Sequence, residues 1–458
     1  MSNKRSKEFE LMKIFFKKTN NLCLKVDSKN NRYLYSKNIK IPFNKILGKS
    51  GTSRDGEVYE IEINDIKIAM KIIPLKEQYL NSEISIMNQL NYLVLGDNSP
   101  HFNLIYHNID CNHNGEYKFK NENITGIINE IEVMNSYNEQ ITKLHYKLSK
   151  FSSAITEEKF NNFTNFPKSY QKLNHILNLI KKDSNNHLNN YKKYKTNSLI
   201  IFSELSDIDL NTYITKLNKK KNHNDLFISI FKQIVVSLRT MHLKEKIIHL
   251  DLHSGNIFLN YIKTPGYWEY KSSKKNEPAI YIKNEGVQVR IADFGRSFFI
   301  GSKTRNNKIE IFSKLYKQLK RFFPLHYSDP KIDTFDKFYK MAKVYDLNLW
   351  IYTFDLWRIF SSINNTINKN DINLNSQVVE VIGRIIDMAQ LLLTTINLYD
   401  ISKDIKNTNK RSKDKKSVHG FEEFVYQNYL VDLIFDEKFE EKGIKKKNII
   451  NKNPYLFI

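Results

Sequence analysis

The sequence predicts an α+β fold, with a small β-rich part followed by a larger, mainly helical part. Three observations carry this. Ile61, Ile63, Ile66 and Ile68 alternate around the turn pair Asn64-Asp65, which predicts two or three antiparallel strands. Ser198-Leu-Ile-Ile-Phe202 is a short apolar run that ends in an acidic, polar turn, the pattern of a buried strand. From Leu226 onward, Ile230, Ile234, Val235, Leu238 and Met241 recur at helical spacing, and helical patterns resume from Phe335.

The chain has 458 residues, 41% of them hydrophobic, enough for a large core and too many for wholesale disorder. Its size allows two or three domains or one large bilobal one. Lys and Arg number 72 against 49 Asp and Glu, a net charge of +23. Such a charge attracts nucleotides, nucleic acids or anionic membranes. The lysines are spread through the whole sequence, however, as a bias toward AT-rich codons would also produce, so no stable nucleic-acid partner is expected. The two cysteines, Cys23 and Cys111, stand far apart and suggest no disulfide framework, which fits a reducing, cytoplasmic location. No apolar run follows Met1-Ser-Asn-Lys-Arg, so no signal peptide is expected. The longest apolar segment, 378–398, is interrupted by Glu380, Arg384 and Asp387 and reads as a buried helix, not a transmembrane segment. His107, Cys111 and His113 match no standard zinc spacing. Cys-x-x-Cys, His-Glu-x-x-His, Gly-x-Ser-x-Gly and a Walker loop are absent.

In chain order, residues 1–40 read as a basic extension. Between two strand-like ends, 46–59 hold Gly48, Gly51 and Gly56, and glycines let backbone N–H groups approach phosphate oxygens. Thirteen residues after Val58, Lys71 stands inside the apolar strand Ile68-Ala69-Met70-Lys71-Ile72-Ile73. A buried ammonium there needs an anionic partner. Residues 111–197, Asn- and Lys-rich, read as an insertion within the N-terminal part 41–205. The C-terminal part is 206–400, with a Tyr- and Lys-rich hairpin insertion at 261–286. Residues 401–420 form a basic linker, and 421–458 a helical element whose closing residues add little.

The chemistry concentrates in Ile247-Ile-His249-Leu-Asp251-Leu-His253-Ser-Gly-Asn256-Ile-Phe-Leu259. Apolar residues pin both ends of this loop, so Asp251 and Asn256, five residues apart, can be aimed into one cleft. A carboxylate there can orient a hydroxyl nucleophile, and a carboxamide oxygen can ligate Mg²⁺. Thirty-seven residues after Asn256, the apolar run at Ile291 ends in a second carboxylate, Asp293-Phe294-Gly295.

His-x-Asp-x-x-x-x-Asn followed by Asp-Phe-Gly, behind a glycine turn and Ala69-x-Lys71, resembles the protein-kinase signature set. The likeness spans about 46–110 and 198–360. It implies a bilobal fold with a β-rich N-lobe and a helical C-lobe, and an ATP- and Mg²⁺-dependent serine/threonine protein kinase acting on protein hydroxyls. By that resemblance Asp251 accepts the hydroxyl proton, and Asn256 and Asp293 hold Mg²⁺. Lys71 grips the non-transferred phosphates, steadied by Glu83, with Glu77 the rival acid. Gly48, Gly51, Gly56, Val58 and Ala69 line the nucleotide. The backbones of Glu204 and Ser206 bond the base, with Ser203 behind it and Asp207 or Asp209 at the ribose. His249 and Phe294 pack with Met87. Asp346, or else Asp355, braces the catalytic loop.

Several residues depart from the family. The glycine turn is long, with Ser53 where the middle glycine would fall. Leu250 replaces the arginine that usually reads a phosphorylated activation loop. Ala-Pro-Glu is missing, with Ser328-Asp329-Pro330 as a substitute stop. His253 stands where serine/threonine kinases carry lysine. It is read either as a hydrogen-bond donor to the transferred phosphate or as a structural loop histidine. Asp251-Leu-His-x-Gly-Asn256 also resembles the loop of aminoglycoside and choline kinases, which keeps a small-molecule phosphotransferase open, and a weakly active pseudokinase scaffold is the third reading. In composition and inserts the chain is similar to the kinases of large DNA viruses, which implies host cytoplasm or virion.

Overall fold

Period-two alternation does build the predicted strands, and the architecture is α+β. The computed structural model describes residues 2–19, 21–37, 39–43, 45, 47, 56–74, 80–117, 197–272, 279–300, 305–329, 333–344, 347–394, 448–451 and 454–457. The chain divides into two compact units, one of Glu8–Leu80 and Ile105–Leu205, the other of Met1–Lys7, Asn81–Leu104 and Ser206–Ile458. Most of the 111–197 insertion, the whole of the 401–420 linker and most of the 421–458 helical element lie outside the described residues.

The first unit takes most of helix α1 (Ser2–Lys18) and strands β1 (Cys23–Val26), β2 (Arg32–Ser36), β3 (Ile39–Pro42), β4 (Glu57–Ile63), β5 (Ile66–Pro74), β6 (Ile105–Asn112) and β7 (Asn197–Glu204). β1, β2 and β3 form an antiparallel meander in which Leu24, Leu34 and Ile41 make one buried row. The other four strands form a sheet in the order β4-β5-β7-β6. Asn64 and Asp65, at φ 50° and 62°, close the β4–β5 hairpin with both central residues left-handed, as a tight turn matching strand twist requires. Tyr59, Met70 and Phe202 stand in register on one face. Phe16 of α1 covers that face, its ring 4.6 Å from Phe202. A buried cluster joins β2 to β4: the Arg32 guanidinium donates to Tyr59 Oη and Tyr117 Oη, at 2.7 and 3.0 Å, and lies 3.3 Å from Glu57 Oε2. Both phenols donate to that same oxygen.

Cys23 and Cys111 form a disulfide, with Cα atoms 5.1 Å apart across 88 residues of chain. This corrects the expectation drawn from their separation. β1 packs on β6, which brings the two together, and the cysteine count no longer argues for a reducing compartment.

The second unit contains α2 (Leu80–Leu95, from Asn81), β8 (Ile208–Asp209), α3 (Leu210–Thr215), α4 (Asn224–Arg239), β9 (Ile247–Ile248), β10 (Ile257–Tyr261), β11 (Tyr267–Ser272), β12 (Ile280–Lys283), β13 (Val287–Ile291), β14 (Phe298–Phe299), α5 (Arg305–Phe322), α6 (Phe335–Val344), α7 (Leu347–Lys369), α8 (Ser376–Thr394) and β15 (Tyr455–Phe457). The stripe read at Leu226–Met241 is α4, with Ile230, Ile234, Val235 and Leu238 fully buried, continued by one wide turn at Thr240–Lys244. Asn224–Lys244 is long and apolar enough to cross a membrane by length and composition, but most of that stretch is buried inside the protein, as in a core helix. α7 packs against α8.

The 261–286 insertion is a hairpin, β11 paired antiparallel with β12 around buried Trp268. The closing residues do more than the sequence suggested. β15 pairs parallel with β11, and the Asn451 carboxamide bonds both the N–H and the C=O of Glu269. Tyr455 packs on Tyr270, ring centroids 5.5 Å apart. Tyr270 Oη lies 2.6 Å from His101 Nε2, and His101 Nδ1 lies 2.8 Å from the Val289 carbonyl. A carbonyl only accepts, so Nδ1 carries the proton and Nε2 accepts from the tyrosine. Arg5 donates to the carbonyls of Pro100 and Phe102 on either side of this histidine.

Burial pushes the His101 imidazole down to about 3, with the Arg5 and Arg290 charges adding to the effect. The folded protein thus resists a proton that the unfolded chain takes up below its ordinary value near 6.5, so stability falls with acidification below that point. Between pH 7 and pH 5 the loss owed to His101 is about 2 kcal/mol. Urea unfolding at the two pH values should show a fall that much larger in the wild type than in His101→Gln, each compared with itself at pH 7.

Candidate active site

The loop 249–256 is held at both ends by sheet and at its first two residues by one carboxylate. β9 pairs with β14, Ile248 opposite Phe298. β10 pairs with β13, Ile257 opposite Ile291, and the Ala292 N–H donates to the Asn256 carbonyl at 3.1 Å. That register sets Asn256 across from the residue that precedes Asp293. Between these anchors the chain must turn sharply, and Leu250 adopts φ 59°, a left-handed conformation costly for a leucine. Asp355 of α7 holds it there: its wholly buried carboxylate accepts from the N–H groups of His249 at 2.8 Å and Leu250 at 2.9 Å. His242 Nε2 donates to the same group at 3.0 Å, while its ring stacks on Tyr352 and its carbonyl accepts from the Tyr352 hydroxyl. Asp355 thus takes the bracing role, and Asp346 lies outside the described residues.

His249 is buried, its Nε2 bonded to the Ala292 carbonyl at 3.0 Å and its ring 5.1 Å from Phe294. Phe294 in turn lies 6.5 Å from Phe102, and Met87 is buried in the same unit. Asp251 is partly exposed, and Arg296 Nε lies 3.5 Å from its Oδ2. His253 caps the short turn Ser254–Asn256, its Nδ1 accepting from the Gly255 N–H at 3.1 Å. A Cβ on Gly255 would lie 3.0 Å from the imidazole, so glycine permits this close approach. Burial lowers the His253 pKa, Asp251 opposing and Arg358 adding to the shift. The neutral ring therefore carries its proton on Nε2, which stays a donor. The structural reading of this histidine is met by Nδ1, which caps the turn.

Asn256 donates its amide N–H to the Asp251 carbonyl at 2.9 Å, which leaves the carboxamide oxygen as the atom available to a ligand. Asp293 follows β13 at φ 62°, again left-handed. Glu83, in the first turn of α2 and only 4% exposed, comes close to it: a Cβ built on Gly295 would lie 3.3 Å from Glu83 Oε2 and 3.7 Å from Asp293 Oδ1. No group of three or more His, Cys, Asp or Glu suited to a metal occurs among the described residues. The expected pair is instead one carboxylate and one carboxamide, hard oxygen donors of the kind Mg²⁺ accepts when phosphates and water complete its shell. The donor set fits that ion.

In the first unit, β4, β5 and β7 place Val58, Lys71 and Ile201 in one row and Glu60, Ala69 and Ser203 in the next. These rows share the sheet face opposite Tyr59, Met70 and Phe202, so Val58, Ala69 and Lys71 are brought together. Gly56 precedes β4 where a Cβ would meet the Ile72 carbonyl oxygen at 2.5 Å; only glycine fits. Gly48, Gly51 and Glu77 lie outside the described residues. Glu204 ends β7, whereas Ser206 belongs to the second unit and bonds Asn103 Oδ1 at 3.1 Å. Asp207 accepts from the Tyr261 N–H and Asp209 caps α3 through the Thr212 N–H, so both acids have structural work.

Sequence reasoning passed over Arg296, Arg358 and His242. Arg296 directly follows Asp-Phe-Gly, a signal that was available. Arg358 and His242 are defined only by what α7 and the end of α4 meet. No protein-family model matches the chain, and no curated protein matches it.

Asp355→Asn turns one of its acceptor oxygens into a donor facing other donors inside the core. The expected loss is about 3 kcal/mol in urea unfolding, with amide exchange at His249 and Leu250 faster by at least about tenfold.

Proposed function

We propose that the chain is a serine/threonine protein kinase of bilobal, kinase-like fold, using ATP and Mg²⁺ to phosphorylate protein hydroxyls. One observation carries the reading. A loop forced into a strained turn by a buried carboxylate presents Asp251 and Asn256, and the β10–β13 register sets Asp293 beside that loop. Strain of this kind is kept where geometry matters to function.

Each residue then has a task. Asp251 orients the acceptor hydroxyl and takes its proton as the oxygen attacks the γ-phosphorus and the bond to ADP breaks. Asn256 and Asp293 hold Mg²⁺, which supplies charge neutralisation on the phosphates. Lys71, on a strand face beside small Ala69, serves the non-transferred phosphates. Glu83 adds a buried acid at Asp293 and Gly295, and His253 offers its Nε2 proton to a phosphate oxygen.

The test offers purified protein labelled ATP and Mg²⁺ with protein acceptors and, separately, small alcohols. Label on protein, reduced at least about a thousandfold in Asp251→Asn, is the expected outcome. Label confined to small alcohols points to a small-molecule phosphotransferase. Absence of transfer, with nucleotide still bound, points to a scaffold.

A further inference from the structure

Among the described residues of the second unit, several positive charges gather beside Asp251. Arg296 lies 3.5 Å from the Asp251 carboxylate, both side chains about a third exposed, at 33% and 29%. On α7, the Arg358 guanidinium stands over the Phe322 ring, 4.7 Å from its centroid. Arg321, the neighbour of that phenylalanine on α5, reaches the same ring at 5.6 Å. Arg358 is partly buried, and among the described residues no carboxylate lies within 4.0 Å of it and no hydrogen bond satisfies it. The Asp251 and Arg321 charges both act on Arg358, which ties the three arginines to one locality.

A guanidinium withdrawn from water without a counter-ion is costly, and its planar fork suits a carboxylate or phosphate held by two parallel hydrogen bonds. Among the described residues, Arg296, Arg321 and Arg358 outnumber Asp251 and Asp293, which leaves positive charge in surplus where the acceptor hydroxyl would arrive. We propose that Arg296, Arg321 and Arg358 read anionic groups flanking that hydroxyl, so that the preferred substrate is an acidic or already phosphorylated peptide segment. An anion on the substrate also gives Arg296 an alternative partner, which releases the Asp251 carboxylate to face the hydroxyl. Recognition and activation are thereby linked: Arg358 and Arg321 act in binding, and Arg296 acts on the reacting carboxylate. This inference rests on the phosphoryl-transfer reading above.

The full chain is assayed with labelled ATP and Mg²⁺ on serine peptides whose flanks are acidic, phosphoserine-bearing, neutral or basic. The expected result is a kcat/KM at least about tenfold higher for the anionic peptides than for the neutral one. Comparing the acidic with the phosphoserine peptide decides which anion is the better ligand. In Arg358→Gln and Arg321→Gln the ratio collapses through KM, whereas in Arg296→Gln the loss appears in kcat. Arg358→Lys, which keeps the charge but not the fork, recovers part of the preference. Circular dichroism and thermal midpoints identify any variant that fails to fold, and the wild-type ratio decides the matter without the variants. Equal use of all peptides, or preference for basic ones, overturns the inference and leaves the kinase reading standing. Transfer to no peptide, together with no transfer to any protein acceptor, overturns that reading and the inference with it.

Discussion

A single carboxylate organises the candidate site. Asp355 is wholly buried, and its oxygens take three hydrogen bonds, from two consecutive backbone N–H groups and one imidazole. An isolated buried carboxylate would be untenable; one that meets preplaced donors becomes a rigid fixture. Its effect is to hold Leu250 in a conformation that leucine avoids. With Leu250 fixed, Asp251, His253 and Asn256 follow in a loop too short to rearrange freely.

Around that fixture the constraints reinforce each other. The β10–β13 hairpin sets Asn256 against Ala292, and the Asn256 amide bonds back to the Asp251 carbonyl. His249 seals the floor by bonding the Ala292 carbonyl and packing on Phe294. At the middle of β13, His101 ties Val289 to Tyr270 of the insertion hairpin, which β15 completes. The strand that delivers Asp293 is therefore braced by the loop at its C-terminal end and by the insertion with the C-terminal strand at its centre.

Much of this was legible in the residues. The β4–β5 hairpin follows from loose alternation about Asn64-Asp65, the α4 helix from its apolar stripe, and the strand-to-loop placement of Asp251, Asn256 and Asp293 from apolar runs that end in polar groups. Such signals are local, so a sequence displays them directly. The disulfide between Cys23 and Cys111 was not legible, because separation along the chain says little about which strands pack together. The docking of β15 on the insertion hairpin was hidden for the same reason. Parallel pairing of distant segments leaves no periodic trace in either.

What the sequence determined by itself is the inventory: the α+β class, the main strands and helices, and the residue types able to hold a metal and move a proton. Tertiary structure decided that Asp355 braces the loop, which nitrogen of His253 remains a donor, that Arg296 meets Asp251, and that Arg321 and Arg358 share the Phe322 ring. Those outcomes depend on contacts between segments far apart in the chain, where burial and fixed donor geometry, not local propensity, select among otherwise equivalent side chains.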